Sequence, residues 1–503
     1  MTVNIARRRL LAAGAGGAVL LGTPGVSHAS SRPRLTHGVQ TGDVTERSAI
    51  IWTRADRHSK MVVEVSERPD FKHARTIRGP RLSERGDYTG KLRVRGLEPG
   101  ERFYYRVTAE GEHDSEPLTG SFTTASDAAE DIRFQWSGDL AGQGWGINPD
   151  FGGFRIFSTM AESEPDFFVN SGDYYYGDGP LSETVELPDG STWRNVVTDA
   201  KSKVAETLGE YRGQYKYNLT DDNLRSYLSR VPMVNQWDDH EVVNNWYPGE
   251  ILDLDEYTEK DVDVLAARAR QAFAEYTPSG LGLHGARRMY RRISYGPLLD
   301  LFVLDMRTYK DINGPNDSED GGLLGRRQLA WLKRELRCSR ATWKIIAADL
   351  PIGLVVPDGS AAFEGIAQGD DGEPAGREAE IADLLSYAKR HEVKNMVWLT
   401  ADVHYTAAHH YSPDRAAFQD FDPFWEFVSG PLNAGGFGPN ALEGTFGPEA
   451  VFVSAPPQAN TSPAGGYQFF GEVHIDAETE TCEVALRDID GNTLFTRPIE
   501  PTA

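Results

Sequence analysis

The sequence predicts a layered α/β domain preceded by a small all-β sandwich. Residues 36–125 contain short stretches of alternating polar and apolar residues, separated by Gly, Pro and Asp turns, which is typical of antiparallel strands. From residue 131 onward, nearly continuous apolar strands alternate with helical patterns, which is typical of layered α/β domains. A chain of 503 residues is also longer than one ordinary compact domain.

Residues 1–29 are predicted to be a twin-arginine signal peptide. Arg7, Arg8 and Arg9 precede a weakly apolar stretch rich in Ala and Gly, and residues 27–29 (SHA) offer a small-x-small cleavage site. An ordinary secretory signal is the alternative, but the arginine cluster before a weak apolar core favours the twin-arginine type. We therefore expect the twin-arginine export machinery as a partner, and a mature protein that is secreted, extracellular or associated with the cell wall.

Composition argues against several classes of protein. With 39% hydrophobic and 25% charged residues the chain is globular rather than disordered, and beyond its first thirty residues no apolar run is long enough to span a bilayer. The formal net charge of −23 argues against nucleic acid as a partner, because phosphate backbones are bound by clustered Lys and Arg. Two cysteines, Cys338 and Cys482, exclude a disulfide framework and leave a single disulfide open.

The strands of the first unit are predicted at residues 48–53 (SAIIWT), 61–65 (MVVEV), 91–94 (KLRV) and 102–107 (RFYYRV). This pattern is similar to that of fibronectin type III domains, and it contains no constellation of catalytic residues. The small polar segment SDAAED at 126–131 predicts the boundary between the units. The sandwich is therefore assigned to residues 36–125 and the catalytic domain to residues 131–503.

In the second unit, helices are predicted at residues 325–337 and 381–391, and several strands end in ionisable residues. These strands are 134–137 before Asp139, 167–170 before Asp173, 301–304 before Asp305, and 396–399 before Asp402 and His404. Ligands bind at the C-terminal ends of strands in open α/β sheets, so we expect these side chains to converge. The glycine-rich run at 429–438 is predicted to be a loop, which is a weak signal for phosphate binding.

The segment GDYYY at residues 172–176 is the most informative motif. It places Asp173 and Tyr176 on one tight turn after an apolar strand. A bridging carboxylate and a phenolate are hard, anionic ligands that suit Fe3+. The alternative is that the three tyrosines form an amphipathic surface covering, the usual role of tyrosine runs.

Two further segments combine carboxylates with an imidazole. In the segment QWDDHE, Asp239 can bind a metal while His240 reaches a substrate oxygen, and the flanking apolar residues favour a partly buried turn over a solvated loop. In the segment TADVHY, Asp402 and His404 are two residues apart and so lie on one side of an extended segment. Together with the preceding turn, these residues predict a metal centre.

In this order, the motifs Ser-Gly-Asp, Gly-Asp-x-x-Tyr, Trp-Asp-Asp-His-Glu and Asp-Val-His resemble those of the alkaline phosphatase D (PhoD) family. That family is itself similar to purple acid phosphatases, which have the calcineurin-like metallophosphoesterase fold. The resemblance covers residues 36–503 and includes the Leu-Asp-Met-Arg stretch that ends at Arg307. It implies a secreted, metal-dependent phosphoesterase with iron (Fe3+) and calcium as cofactors and a phosphate monoester or diester as substrate.

The resemblance also implies a set of metal ligands. These are Asp139, Asp173, Tyr176, Asp239, Asp402 and His404. Asp173 would bridge two metals, Tyr176 and His404 would bind iron, and Asp239 and Asp402 would bind calcium. Asp139 departs from the family pattern, in which a cysteine ligates iron, and matches purple acid phosphatases instead, so the iron site would be harder. The oxygen ligands of the second position suit calcium, magnesium or manganese better than zinc.

In such a centre the metals would orient the phosphate and lower the pKa of a bound water. His240 is the expected catalytic residue that protonates the leaving oxygen or steadies the transition state. Arg307 is a second catalytic candidate, as a phosphate clamp, with a structural ion pair as its equal alternative. A phospholipase D-like phosphodiesterase is the alternative enzyme. A metal- or phosphate-binding protein without turnover is the alternative outside enzymes, and His240 beside the metal carboxylates favours an enzyme.

Overall fold

The computed structural model describes residues 32–283, 287–318 and 321–502. The signal peptide predicted at residues 1–29 lies outside these described residues. Among the residues that are described, no helix has both the length and the apolar character needed to cross a membrane.

Residues 35–123 form strands only, apart from one short 3-10 turn. The strands are β1 (Leu35–Gly42), β2 (Ser48–Ala55), β3 (Ser59–Ser66), β4 (Arg75–Leu82), β5 (Thr89–Arg95), β6 (Arg102–Glu110) and β7 (Leu118–Thr123). Strands β4, β3, β6 and β7 form one antiparallel sheet, and β1, β2 and β5 form a second group. An apolar cluster that includes Ile51, Val63 and Tyr105 combines residues of both groups.

Strands and helices alternate along the rest of the chain. They are β8 (Ile132–Ser137), α1 (Ile156–Met160), β9 (Phe167–Asn170), β10 (Thr184–Glu186), β11 (Thr192–Arg194), α2 (Leu208–Asn218), α3 (Asp222–Leu228), β12 (Met233–Asn235), α4 (Val262–Tyr276), β13 (Arg291–Tyr295), β14 (Leu299–Val303), α5 (Gly325–Cys338), β15 (Trp343–Ala347), β16 (Pro357–Asp358), β17 (Ala362–Phe363), α6 (Glu378–Arg390), β18 (Met396–Thr400), β19 (Thr406–Tyr411), β20 (Phe424–Val428), β21 (Pro448–Ser454), β22 (Phe469–Ile475), β23 (Cys482–Asp488) and β24 (Thr493–Ile499).

Two large sheets form the centre of the molecule. In the described residues, one sheet has nine strands in the order β24-β23-β22-β8-β9-β12-β1-β2-β5, and the other has seven in the order β13-β14-β15-β18-β20-β19-β21. An apolar cluster that includes Trp136, Val169, Leu301 and Val397 is made of residues from both sheets. The sheets therefore pack face to face, which explains why their central strands are continuous apolar runs rather than alternating ones.

Helices cover the outer face of each sheet. Helices α2, α3 and α4 share an apolar cluster with the nine-stranded sheet, and α5 and α6 share another with the seven-stranded sheet. In α5, Leu329, Leu332 and Leu336 recur at helical spacing and are buried, as the sequence predicts. Helix α6 begins at Glu378, earlier than predicted, and ends at Arg390.

The strands that lead to the predicted ligands are divided between the two sheets. Strands β8, β9 and β12 are parallel neighbours in the nine-stranded sheet, whereas β14, β15 and β18 are parallel neighbours in the seven-stranded sheet. The first sheet also includes β1 through the parallel pair Gly42 and Met233, so one group of N-terminal strands continues the central sheet. Cys338 and Cys482 are both free thiols, the first exposed and the second buried.

Candidate metal centre

The predicted metal ligands converge where β8, β9, β12 and β18 end. Their atoms fall into three groups in which all ligand atoms lie within 4.8 Å of one another: Asp139 with Asp173 and His404, Asp173 with Asp239 and His240, and Asp238 with Asp239 and Asp402. The hydroxyl oxygen of Tyr176 lies 2.8 Å from Nε2 of His404 and so joins the first group. The structure thus brings together residues that span more than half of the chain.

Several of these residues have an unusual backbone conformation. Asp139, Asp173, Asp402 and His404 have φ angles of 62°, 49°, 69° and 62°, in the left-handed region that side chains other than glycine rarely adopt. Such conformations cost free energy and cluster at functional sites, where the surrounding structure holds them. At Gly172, an added Cβ would lie 2.4 Å from Cβ of Asp238, so only glycine permits this close approach of two ligand turns.

The residues of the first group fit a metal ion. Both carboxylate oxygens of Asp139 are buried, and no described residue donates a hydrogen bond to them. The Nδ1–H of His404 donates to the carbonyl oxygen of Gly435 at 2.6 Å, which leaves Nε2 as the ligand atom. Burial lowers the pKa of His404 to about 4, so the imidazole stays neutral, as a metal ligand must be.

The pKa values of the acidic residues also fit a bound metal ion. Burial and neighbouring carboxylates raise the pKa values of Asp139, Asp173 and Asp402 well above the usual range. Burial and the Asp173 and Asp139 carboxylates also raise the pKa of Tyr176, so its ionisation requires a nearby cation. A buried cluster of carboxylates that repel one another is stabilised when a multivalent cation binds between them.

Asp239 differs from the other acidic ligands. Burial would raise its pKa, but the charges of His240 and Arg307 outweigh this effect and hold the pKa at about 2. The backbone N–H of Asn245 donates to its Oδ2 at 2.5 Å, and that of His240 donates to its Oδ1 at 2.8 Å. Asp239 is therefore an ionised carboxylate in a fixed orientation.

Glu241 ties two ligand turns together, a role that the sequence motif does not reveal. Its buried carboxylate accepts hydrogen bonds from the backbone N–H groups of Asp173 at 3.1 Å, Tyr174 at 2.8 Å and Asp238 at 2.8 Å. Burial raises the pKa of Glu241 to about 8. The turn after β9 and the turn after β12 are thus joined through one side chain.

His240 forms a pair with Asp178, a residue that the sequence analysis missed. Nδ1 of His240 lies 2.8 Å and 2.9 Å from the two carboxylate oxygens of Asp178, which also accepts the N–H of Asn244 at 2.8 Å. Burial would lower the pKa of His240, but the Asp178 and Asp239 carboxylates raise it to about 9. The only sequence signal is that Asp178 lies two residues after the GDYYY segment.

Arg307 lies at the centre of a buried ion cluster. Its guanidinium is fully buried and contacts Asp238 and Glu364, with Asp402 at 3.2 Å and Asp349 at 3.3 Å. These carboxylates raise the pKa of Arg307 against the effect of burial. The group of Asp238, Asp239 and Asp402 thus already has a cation beside it.

Four of the six predicted ligands, all except Asp139 and Tyr176, border an open cavity of about 230 Å³. It is lined by Gln143, Asp173, Asp239, His240, Asn244, Asn245, Val356, Asp402, Val403, His404, Phe437 and Asn440. Arg307 is not part of this lining. Apart from the ligands and His240, the lining consists of amide and apolar side chains.

The glycine-rich loop at 429–438 contacts two of the predicted ligands, Asp139 and His404. The N–H of Ala434 donates to the carbonyl oxygen of Asp139 at 3.0 Å, and Gly435 accepts from His404 as described above. An added Cβ on Gly430 would lie 2.1 Å from Oδ2 of Asp139. The weak phosphate-loop signal in the sequence therefore corresponds to a loop that packs against predicted metal ligands.

Comparisons with known proteins identify the family of this chain. The PhoD-like phosphatase family matches residues 134–486, and the PhoD-like phosphatase N-terminal domain matches residues 22–126. The chain is 29% identical over 435 residues to alkaline phosphatase D of Bacillus subtilis (strain 168), a match that covers 81% of this chain and 71% of that protein.

Two solved structures have a similar fold. A structure of PhoD matches with a TM-score of 0.71 and 22% identity, covering 94% of this chain and 93% of that chain. A purple acid phosphatase from yellow lupin (Lupinus luteus) seeds matches with a TM-score of 0.56 and 12% identity, covering 93% and 74% of the two chains. The chain belongs to the PhoD-like phosphatase family and is a phosphoric ester hydrolase.

Proposed function

We propose that the protein is a secreted phosphoesterase of the alkaline phosphatase D type, which hydrolyses phosphate monoesters, diesters or both at a centre of iron and calcium. The observation that carries this proposal is that the six predicted ligands lie together and that four of them line one cavity with His240. Asp139, Asp173, Tyr176 and His404 would hold Fe3+, because hard oxygen ligands and an imidazole suit that ion. Asp173, Asp239 and Asp402 would hold calcium.

When bound, the metals offset the charge of the phosphate and activate a water for attack. His240 binds Asp178 through Nδ1, which leaves Nε2 for the substrate. The carboxylates around it keep the ring protonated, so that it can donate a proton to the leaving oxygen. Asp178 orients the ring and stabilises its charge.

We place Arg307 outside the catalytic residues. Because its guanidinium is fully buried and is surrounded by carboxylates, it fits the ion-pair alternative better than the phosphate clamp. It contacts Asp402 and Asp238, so its role is to orient carboxylates at the second metal position. A buried ion pair of this kind is costly to break, because the remaining charge has no partner.

The cavity lining favours a diester among the two substrate classes. No lysine or arginine side chain stands among the lining residues, which include the amides Gln143, Asn244 and Asn440 and the apolar Val356 and Phe437. A monoester dianion is usually bound by additional cations, whereas a diester has one negative charge and a second alcohol to accommodate. Because this lining suits a diester, a phospholipase D-like phosphodiesterase is the second candidate function.

Parallel assays on a chromogenic monoester, a chromogenic diester and a phospholipid test these proposals. We expect chelation to abolish hydrolysis and added metal to restore it, with the diester hydrolysed fastest. Faster hydrolysis of the monoester would contradict the diester preference, and hydrolysis of the phospholipid would support the phospholipase-like function. If metal-loaded protein hydrolyses none of the three but binds phosphate, the binding-protein alternative applies.

We also propose that residues 36–125 form a β-sandwich domain and residues 131–503 the catalytic domain. The shared apolar cluster of the two N-terminal strand groups supports the first assignment. Export through the twin-arginine route suits a metalloenzyme, because that route carries folded proteins and lets metal be inserted before translocation.

A further inference from the structure

The proposed metal ligands lie on two different sheets. Asp173 and Asp239 follow β9 and β12 of the nine-stranded sheet, whereas Asp402 and His404 follow β18 of the seven-stranded sheet. The offset between the two sheets therefore determines the distance between ligands of the same metal. A shift of one sheet along the other would separate Asp239 from Asp402.

The apolar core between the sheets does not fix this offset by itself. Apolar contacts have little directional preference, whereas a functional site needs its side chains held to within about 0.5 Å. Directional hydrogen bonds that cross from one sheet to the other would supply this constraint. Three consecutive residues after β12 provide such bonds, directly before the ligand Asp239.

Gln236 makes the first crossing. The two N–H groups of its Nε2 point at three acceptors and so share at least one hydrogen bond: the carbonyl oxygens of Leu304 at 3.3 Å and Ala347 at 3.2 Å, and Oδ1 of Asp349 at 3.2 Å. These acceptors stand at the ends of β14 and β15. The backbone N–H of Gln236 donates to the carbonyl oxygen of Asn170 at the end of β9, so the residue is anchored in its own sheet as well.

Trp237 and Asp238 make the next two crossings. The indole N–H of Trp237 donates to Oδ1 of Asp305 at 3.0 Å, and Oδ1 of Asp238 accepts from Nε of Arg307 at 2.5 Å. Asp305 and Arg307 both follow β14. All of these side chains are almost completely buried.

Asp349 is the point where these contacts meet. It is fully buried at the end of β15, accepts from Gln236, and has Oδ2 at 3.3 Å from Nε of Arg307. Its carbonyl oxygen accepts from the N–H of Ala401 at 3.0 Å, which directly precedes the ligand Asp402. Asp349 therefore contacts Ala401, which precedes Asp402, and Gln236, which begins the turn that leads to Asp239. It does not line the cavity.

We propose that Gln236 and Asp349 are positioning residues, which brace the two sheets so that Asp239 and Asp402 are held at the spacing that one metal ion requires. This inference rests on the proposed function. It assigns a positioning role in that function to Gln236 and Asp349, neither of which lines the cavity. A purely structural role predicts only a loss of stability when the pair is broken. A positioning role predicts a loss of metal affinity in variants that stay folded.

Gln236→Asn and Asp349→Ala in the full chain test the proposal. Gln236→Asn keeps the amide but shortens the side chain, so that it no longer reaches Asp349. We expect each folded variant to bind calcium at least about tenfold more weakly in a titration with the metal alone, and kcat to fall more than KM changes. The double variant should bind calcium only slightly more weakly than the single variant with the lower affinity, because the two residues act through one contact.

Crystal structures of the same variants give a readout that does not depend on activity. We expect the separation of the Asp239 and Asp402 carboxylates to change relative to the unmodified protein, and Asp349→Asn, which keeps one acceptor for Gln236, to recover part of the calcium affinity. If Asp349→Ala does not fold, Gln236→Asn carries the test alone.

Glu426→Gln is the matched control. Glu426 is fully buried in β20 of the same sheet. It accepts from the N–H of Ile352 and the hydroxyl of Tyr411, each at 2.7 Å, and lies 3.2 Å from Nδ1 of His409; none of these three is a proposed ligand. Its replacement should lower the melting temperature and leave calcium affinity unchanged. The proposal would be overturned if calcium affinity and carboxylate separation were unchanged in the Gln236 and Asp349 variants. It would also be overturned if the Glu426→Gln control lost as much calcium affinity as they do. If the unmodified protein hydrolyses no phosphoester, the proposed function fails. The carboxylate separation in the variants still tests whether Gln236 and Asp349 position the two sheets.

Discussion

The hydroxyl of Tyr176 lies 2.8 Å from Nε2 of His404, and its two tyrosine neighbours point elsewhere. Tyr175 donates to the carbonyl oxygen of Glu241 at 3.1 Å, and the ring of Tyr174 stacks on that of Tyr215. Three consecutive tyrosines thus have three different environments. The sequence motif distinguishes them only through its spacing, which favours Tyr176.

We expect Tyr176→Phe to fold but to lose bound iron, visible colour and most activity. The change keeps the ring and removes only the oxygen that ligates the metal, and a tyrosinate on Fe3+ gives a visible charge-transfer band. Metal analysis, absorption spectra and assays measure these effects, and we expect activity to fall by more than about tenfold. Tyr174→Phe is the matched control and should retain both colour and activity. Colourless active protein that contains zinc or manganese would contradict the iron assignment.

The pair of His240 and Asp178 predicts a dependence on the leaving group. Asp178→Asn removes the charge that orients and stabilises protonated His240. Loss of a general acid slows the release of a basic alkoxide more than that of nitrophenolate, so kcat should fall by about 10²–10³-fold on an alkyl ester and much less on a nitrophenyl ester. Metal content should not change. Equal losses on both esters would show that His240 does not protonate the leaving group.

Loops rather than helices or strands hold the predicted ligands in their final orientation. Gly430→Ala tests the loop at 429–438, because the added Cβ would lie 2.1 Å from Oδ2 of Asp139. We expect the variant to lose about 1–3 kcal/mol of stability and to retain less iron, since either Asp139 or the loop must move. Gly314→Ala is the control, as no described atom lies within 4 Å of its added Cβ. If metal analysis finds the same iron in both variants, this contact does not support the site.

The first residue of helix α6, Glu378, forms a buried pair of carboxyl groups with Glu443, which lies outside the helix. Glu378 is almost fully buried, and burial together with Glu443 raises its pKa from 4.5 to about 10. Glu443 accepts the N–H groups of Gln368 at 2.6 Å and Gly369 at 2.7 Å. The folded protein therefore keeps a proton on Glu378 that the unfolded chain releases above pH 4.5.

Stability should fall as the pH rises from 4.5 towards 10, by up to about 1.4 kcal/mol per pH unit from this group. Glu378→Gln replaces the protonated acid with a neutral amide and removes this dependence. We expect the variant and the unmodified protein to be similarly stable at pH 5, and the variant to be more stable at pH 9. Urea unfolding at several pH values measures the difference. Parallel stability curves for the two proteins would mean that the pair does not share a proton.

In the described part of the chain, two large sheets pack face to face with helices outside, a four-stranded sheet lies in the N-terminal part, and the proposed ligands come from both large sheets. The export signal predicted at residues 1–29 concerns the fate of this whole molecule. We expect Arg7→Lys with Arg8→Lys to leave the precursor inside the cell, because the translocation machinery recognises the arginines themselves. Immunoblots of cell and culture fractions measure this. Secretion of the double variant at the normal level would contradict the twin-arginine prediction.

The sequence predicts several helices and strands of the fold but not how the strands are divided between the sheets. The helix from Gly325 and the strands at Phe134, Phe167 and Met396 follow from apolar spacing and lie where the structure has them. The division of these strands between two sheets does not follow, because a strand buried on both faces has the same apolar pattern in either sheet. Strand β12 was missed as well, since three residues are too few to show a period.

For the proposed metal centre, residue types and short spacings indicated turns that carry carboxylates, a tyrosine and imidazoles. The full ligand set of Asp139, Asp173, Tyr176, Asp239, Asp402 and His404 came from the resemblance to the PhoD family and stays a prediction. Metal ligation needs particular atoms on tight turns, and such turns are encoded locally. The partners of these residues became visible only in three dimensions: Asp178 beside His240, Glu241 between two turns, and Asp349 between two sheets. A buried carboxylate is identified by what surrounds it, and those neighbours come from strands and loops that are distant in the chain and meet only when the sheets pack.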